Sequence, residues 1–191
     1  LIQFIFSLMF YYNPVALYNG VLVLGYSTVY TSFPAISVLV DRDTHKKNVM
    51  NFPALYKALL RGRELSVKTF LWWVFKSIYQ AGVIMIGSVY LFEDNLFLKI
   101  VSVTFSVLIF VEILNVYTEI KEFHWFMGLA LIGTAVTYSL TLIFFKSILD
   151  VVFIFEPYII WRIAVIALAC WAPFFLLSKV KRKCFPEEYE K

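Results

Sequence analysis

Five apolar runs, each about as long as a membrane is thick, constrain this chain more than any other feature. They occupy residues 20–40, 69–92, 96–117, 125–145 and 159–177. A helix needs about 20 mostly apolar residues to cross the hydrocarbon layer of a bilayer. Apolar residues make up 61% of the 191 residues and charged residues only 16%, which excludes ordinary soluble and disordered chains. The sequence therefore predicts an all-α, polytopic bundle of transmembrane helices.

A sixth apolar run, residues 1–12, is too short to span a membrane. It is followed by Asn13 and Pro14, and proline disfavours helix at the residue before it. No initiator Met or charged segment typical of a signal peptide precedes the run. We therefore expect five complete spans plus a truncated first helix, whose beginning precedes Leu1.

The basic residues indicate how the spans are oriented. Seven lie in the link 41–68, one in the link 118–124 and five in the tail 178–191, against three (Lys99, Lys146 and Arg162) at the opposite side. Cytosolic loops carry an excess of Lys and Arg, so we expect the long link and the C-terminus to be cytosolic. The net charge of +4 then reflects membrane topology and not nucleic-acid binding. Apolar residues at helical spacing also predict a short amphipathic helix within 41–68.

A hydroxyl-rich segment interrupts the first complete span. Ser27, Thr31 and Pro34 follow i, i+4, i+7 spacing and share a helical face, with Thr28 and Ser32 beside it. Proline frees a backbone carbonyl, which a neighbouring hydroxyl can satisfy. Two interpretations remain open: a kink whose hydroxyls bond to their own backbone, and a lining for a polar pathway.

Three further polar residues lie inside the apolar runs, where such side chains are costly. Glu112 and Asn115 are three residues apart and can share a face, which favours a hydrogen bond between helices or a functional role. Lys76 lies about two turns inside the cytosolic end of its span, so its long side chain is expected to extend to the headgroups, with Gln80 facing the bundle interior.

The sequence lacks the motifs that several kinds of site require. His45 and His124 lie in links without a partner at metal-ligand spacing, and no Walker-type glycine loop is present. Neither a Ser–His–Asp nor a Cys–His set can be placed inside the membrane. We therefore predict no metal site and no catalytic residue in this chain.

Two segments, residues 26–43 and 51–80, resemble the end of the membrane domain of type IV P-type ATPases, the phospholipid flippases. In that family the sixth helix carries a tyrosine and a TS-x-P segment, then enters the cytosol at an aspartate. A P-x-L-Y link and a Trp-containing seventh helix follow. The matching residues here are Tyr26, Thr31, Ser32, Pro34, Asp41, Pro53, Leu55, Tyr56 and Trp72. The sequence of residues 55–70, LYKALLRGRELSVKTF, is most similar to the endosomal and Golgi branch.

The resemblance implies the end of the fifth helix in residues 1–12 and the sixth to tenth helices in the five complete runs. It also implies a Golgi or endosomal parent that uses ATP and Mg²⁺ to move phosphatidylethanolamine or phosphatidylserine toward the cytosolic leaflet. The phosphorylation and nucleotide-binding domains would lie in the rest of that ATPase, so this chain alone would be inactive and bind neither cofactor. An accessory subunit would not be required.

Residue roles implied by the resemblance are few. Ser27, Thr31 and Ser32 match polar positions of the sixth helix, and Gln3 falls near a polar position of the fifth, so with Pro34 they are the lipid-path candidates. Many flippases have Asn where Ser27 stands, and the lysine that often precedes the position of Gln3 is absent here. The resemblance gives Lys76, Glu112 and Asn115 no role. Alternatives are a channel or trafficking receptor without enzymatic activity, and a cation-transporting P-type ATPase, which would need oxygen ligands in the sixth helix.

Overall fold

The structure, a computed structural model, describes residues 1–12, 14–40, 67–91, 97–119, 125–146 and 149–184. All regular structure within these ranges is helical. The amphipathic helix expected in the link 41–68 falls almost wholly outside them. The helices are α1 (Ile2–Met9), α2 (Gly20–Gly25), a π-helical turn (Tyr26–Tyr30), α3 (Ser32–Val40), α4 (Val67–Leu91), α5 (Phe97–Glu119), α6 (Trp125–Phe144), α7 (Val151–Ile154) and α8 (Pro157–Cys184).

Four helices in the described part of the chain are long and apolar enough to cross a membrane. The four are α4, α5, α6 and α8, and their membrane-spanning stretches are 25, 22, 18 and 24 residues long. Each coincides with one predicted apolar run. α8 extends to Cys184, beyond residue 177 where the apolar run ends, because the basic residues that follow also favour helix.

The run 20–40 differs from the expected single span. It is divided into α2, the π turn and α3, and its apolar helical stretch, Gly20–Ile36, is shorter than the other four. The interruption precedes Pro34, whose ring and missing N–H disfavour a regular α-helical turn just before it. In the π turn, the N–H of Thr31 instead donates to the carbonyl of Tyr26, five residues earlier, at 3.2 Å.

α5 is the central helix of the bundle. Its apolar side chains are buried on several faces, and so are the hydroxyls of Ser102, Thr104 and Ser106. Each hydroxyl donates to the carbonyl four residues earlier, at 2.6–2.7 Å, so none is left unsatisfied among apolar neighbours. Small side chains of this kind allow neighbouring helices to approach closely.

α4 and α8 are packed together at Gly87. A Cβ atom built on Gly87 would lie 3.1 Å from Cγ1 of Ile166 in α8, whereas one built on Gly82 would meet nothing within 4 Å. The absence of a side chain at Gly87 therefore permits this close approach.

Replacing Gly87 by leucine is expected to destabilise the bundle by about 1–3 kcal/mol through overpacking against Ile166. Gly82→Leu is the matched control, since both changes remove a glycine from α4. The midpoint of unfolding in detergent should fall for Gly87→Leu and stay near the wild-type value for Gly82→Leu. Equal shifts would contradict the close contact.

Candidate functional site

The hydroxyl-rich segment forms the π turn and the start of α3. Ser27 and Thr28 both donate to the carbonyl of Leu24, at 3.1 and 2.7 Å. Thr31 donates to the carbonyl of Ser27 at 2.7 Å, and Ser32 donates to that of Thr28. These bonds are the ones expected if the segment is a kink whose hydroxyls bond to their own backbone. They use the hydroxyl hydrogens but leave oxygen lone pairs available on each side chain.

The π turn also changes which residues share a face. Ser27, Thr28 and Ser32 are exposed on the described bundle, Thr31 is half-buried and Pro34 is buried. The predicted common face of Ser27, Thr31 and Pro34 assumed a regular helix of 3.6 residues per turn, and the extra residue of the π turn breaks that register. The structure thus exposes the hydroxyls and turns Pro34 toward the bundle.

Tyr30 anchors this segment to α6 and was not singled out from the sequence. Its side chain is 2% exposed, and its Oη lies 2.5 Å from Oγ1 of Thr141 and 3.4 Å from the carbonyl of Thr137. Its ring meets Phe105 of α5 edge to face, with the centroids 5.9 Å apart. A buried tyrosine hydroxyl needs a polar partner, so a tyrosine inside an apolar run could have been recognised as a candidate for a contact between helices. The sequence does not say which helix supplies the partner.

Gln3 is held by the chain that follows α1. Its Nε2 donates to the carbonyl of Val15 at 3.1 Å, and its Oε1 accepts from the N–H of Leu17 at 2.7 Å. Both ends of the amide therefore fasten α1 to the link before α2, so the geometry shows a structural function for this lipid-path candidate.

A cleft of about 410 Å³ lies between α1, α2, the π turn, α4 and α5. Most of its lining is apolar. The polar side chains that line it are Gln3, Tyr18, Tyr26, Ser77, Gln80, Glu112 and Asn115. The cleft therefore brings the fragmented helix and two of the three intramembrane polar candidates, Glu112 and Asn115, to one place.

Asn115 is paired across the cleft wall with Gln80. The two amides exchange hydrogen bonds, Gln80 Nε2 to Asn115 Oδ1 at 3.1 Å and Asn115 Nδ2 to Gln80 Oε1 at 3.2 Å. Reciprocal bonding satisfies both groups where water is scarce and joins α4 to α5. Glu112, about one turn before Asn115, also lines the cleft and is close enough to Tyr26 and Lys76 for electrostatic interaction.

Lys76 is buried within the bundle, and its reach toward the headgroups stays a prediction. It is 8% exposed, and its Nζ lies 4.7 Å from the ring centroid of Trp73 and 5.7 Å from that of Phe174 in α8. Two aromatic faces and the nearby Glu112 carboxyl stabilise the ammonium group inside the bundle. The third intramembrane candidate therefore belongs to the same polar region as Glu112.

Comparison with known proteins identifies the family. The family model described as "Phospholipid-translocating P-type ATPase C-terminal" matches residues 1–187. The chain belongs to this family.

Relatives match the chain over nearly its full length. It is 40% identical over 189 residues to "Probable phospholipid-transporting ATPase IIB" of Bos taurus, an alignment that covers 99% of the chain and 16% of the relative. It is 39% identical over 189 residues to "Probable phospholipid-transporting ATPase tat-5" of Caenorhabditis elegans, with 99% and 18% covered. It is 32% identical over 191 residues to "Phospholipid-transporting ATPase neo1" of Schizosaccharomyces pombe, again with 99% and 18% covered.

The chain spans about a sixth of the length of these curated relatives. Its match is to the C-terminal part of the family, which agrees with the four long apolar helices of the described residues. The segment is therefore an integral membrane part of this ATPase family.

Proposed function

We propose that this chain is the membrane-domain end of an ATP-driven phospholipid transporter that moves aminophospholipids toward the cytosolic leaflet. The observation that carries the proposal is the family match over residues 1–187. Relatives at about 40% identity over almost the whole chain are named phospholipid-transporting ATPases, which supports the same substrate class.

Ser27, Thr31 and Ser32 are the proposed lipid-path residues. Their hydroxyl hydrogens are engaged by the helix backbone, so their oxygens are left as hydrogen-bond acceptors. An ammonium group carries only donors, whereas a phosphate without bound protons carries only acceptors. The hydroxyl face therefore suits the amine end of phosphatidylethanolamine or phosphatidylserine better than the phosphate they share with other phospholipids.

The proposed topology assigns residues 1–12 to the end of the fifth helix of the parent and residues 20–40 to the sixth. The seventh to tenth helices are α4, α5, α6 and α8. With the interrupted segment counted as a span, the chain has five complete spans. Its 21 residues, even with one wide turn, are long enough to approach the thickness of the hydrocarbon layer. The distribution of basic residues supports a cytosolic C-terminus.

The cofactors are proposed to bind elsewhere in the parent. Within the described residues, no three His, Cys, Asp or Glu side chains converge, so these residues offer no fit for Mg²⁺. We assign ATP and Mg²⁺ to the remaining domains of the ATPase. Similarity to the endosomal and Golgi branch supports a location in those membranes and activity without an accessory subunit.

The full-length ATPase is expected to hydrolyse ATP in a vanadate-sensitive reaction stimulated by phosphatidylethanolamine or phosphatidylserine. The measurement is phosphate release from purified protein in detergent, with phosphatidylcholine as the control lipid. Stimulation by a metal ion and by no lipid would instead indicate a cation pump. Absence of ATP hydrolysis would favour a channel or receptor.

A further inference from the structure

The π turn is a wide helical turn held between two different attachments. On one side Tyr26 lines the cleft beside Glu112, and on the other Tyr30 is buried against α5 and α6. Between them lie Ser27 and Thr28, exposed on the described bundle. The direction in which these hydroxyls face depends on whether the turn keeps its extra residue.

The Tyr30 hydroxyl has two partners in α6. It lies 2.5 Å from Oγ1 of Thr141, a contact in which either oxygen can donate, and 3.4 Å from the carbonyl of Thr137, which can only accept. Thr141 Oγ1 lies 3.0 Å from the same carbonyl, so the three groups form one small network. The bond joins the last residue of the π turn to a helix whose own backbone is regular.

We propose that Tyr30, anchored by Thr141, is a positioning residue that holds the π turn and thereby sets the direction of the Ser27, Thr31 and Ser32 hydroxyls. Returning the turn to α-helical hydrogen bonding would rotate the residues after it by about 100° and shift them by about 1.5 Å relative to those before it. The anchor opposes this change because a rotated Tyr30 would lose its partner in α6. The inference rests on the proposed function for its consequence in transport, but not for its geometry.

The test compares two Tyr→Phe changes in the full-length ATPase. Tyr30→Phe removes only the hydroxyl and keeps the ring that packs on Phe105. Tyr138→Phe is the matched control, because the buried hydroxyl that it removes is hydrogen-bonded to Ser106 of α5 at 2.6 Å. Both changes remove one interhelical hydrogen bond, so a merely structural effect would be similar in the two variants.

Tyr30→Phe and Thr141→Val are each expected to raise the lipid concentration for half-maximal ATPase stimulation by about five- to tenfold, the factor that one hydrogen bond contributes. The double variant should be no worse than either single variant, since both remove the same bond. Thr141→Ser, which keeps the hydroxyl, should behave like the wild type. An equal shift in Tyr138→Phe, or additive effects of Tyr30→Phe and Thr141→Val, would overturn the proposal.

A second readout does not depend on transport. In a Cys184→Ser background, where the chain's other cysteine, Cys170, is buried, Thr28→Cys and Thr31→Cys, made separately, report the exposed and half-buried positions of the segment through their rates of thiol labelling above that of the background. Tyr30→Phe is expected to change the ratio of the two rates, while Tyr138→Phe leaves it unchanged. An unchanged ratio in Tyr30→Phe contradicts the anchor. A changed ratio in an enzyme that no lipid stimulates contradicts the proposed function alone.

Discussion

Replacing Lys76 by methionine is expected to destabilise the membrane bundle by about 1–2 kcal/mol, the range for losing desolvated cation–π contacts. Methionine keeps most of the side-chain volume between Trp73 and Phe174 but removes the positive charge, which also interacts electrostatically with Glu112. The measurement is the midpoint of unfolding of the full-length protein in a detergent titration.

The double variant Lys76→Met/Glu112→Gln tests the origin of that loss. Because it also removes the buried carboxyl that loses its interaction with Lys76, it should be more stable than Lys76→Met alone, and the two effects should not add. Lys99→Met is a control, since Nζ of Lys99 also lies over an aromatic ring, Phe153, at 4.6 Å. Glu112→Gln should not rescue that variant. Simple additivity of Lys76→Met and Glu112→Gln would show that the two charges are not coupled.

Replacing Ser27 and Thr31 together by leucine is expected to slow lipid transport by about tenfold, the effect of losing one charge-assisted hydrogen bond in the transition state. The fold should persist, because these hydroxyls bond only to the carbonyls of their own helix in the structure and leucine is compatible with an apolar environment. The measurement is uptake of a labelled aminophospholipid into the cytosolic leaflet of proteoliposomes.

Ser139→Leu provides the control for this double change. Ser139 is exposed like Ser27 and, like Thr31, donates to the carbonyl four residues earlier, that of Ala135 at 3.0 Å, but it lies on α6. Transport should therefore be normal in Ser139→Leu. Normal transport in Ser27→Leu/Thr31→Leu would leave the hydroxyls as backbone partners alone and remove them from the lipid path.

Helix positions were predictable where they depend only on local composition. The runs 69–92, 96–117 and 125–145 became Val67–Leu91, Phe97–Glu119 and Trp125–Phe144. An apolar run of about 20 residues has few alternatives to helix in a membrane, since its backbone groups must be satisfied within the segment. The end of α8 was less predictable, because a helix can continue beyond the hydrocarbon layer where hydropathy no longer reports it.

The sequence predicts which polar residues need a hydrogen-bond or charge partner, but not which residue is the partner. The sequence shows that Tyr30, Lys76 and Asn115 require partners inside an apolar bundle. It does not show that Thr141, Glu112 and Gln80 lie near them, because those residues are separated by 111, 36 and 35 positions along the chain. The burial of Lys76 was not predicted for this reason: the aromatic ring of Phe174 and the Glu112 carboxyl come from other helices.

Membrane residence, helical class and the resemblance to phospholipid-transporting ATPases thus follow from local sequence, because hydrophobic length and short motifs carry them. Pro34 also indicated an interruption in the run 20–40. The tertiary structure decided the orientation of the hydroxyls in that interruption and the polar region around Lys76 and Glu112, because both depend on which helices are neighbours. A single buried hydrogen bond, such as that between Tyr30 and Thr141, is enough to favour one helical register over another when the alternatives differ by little free energy.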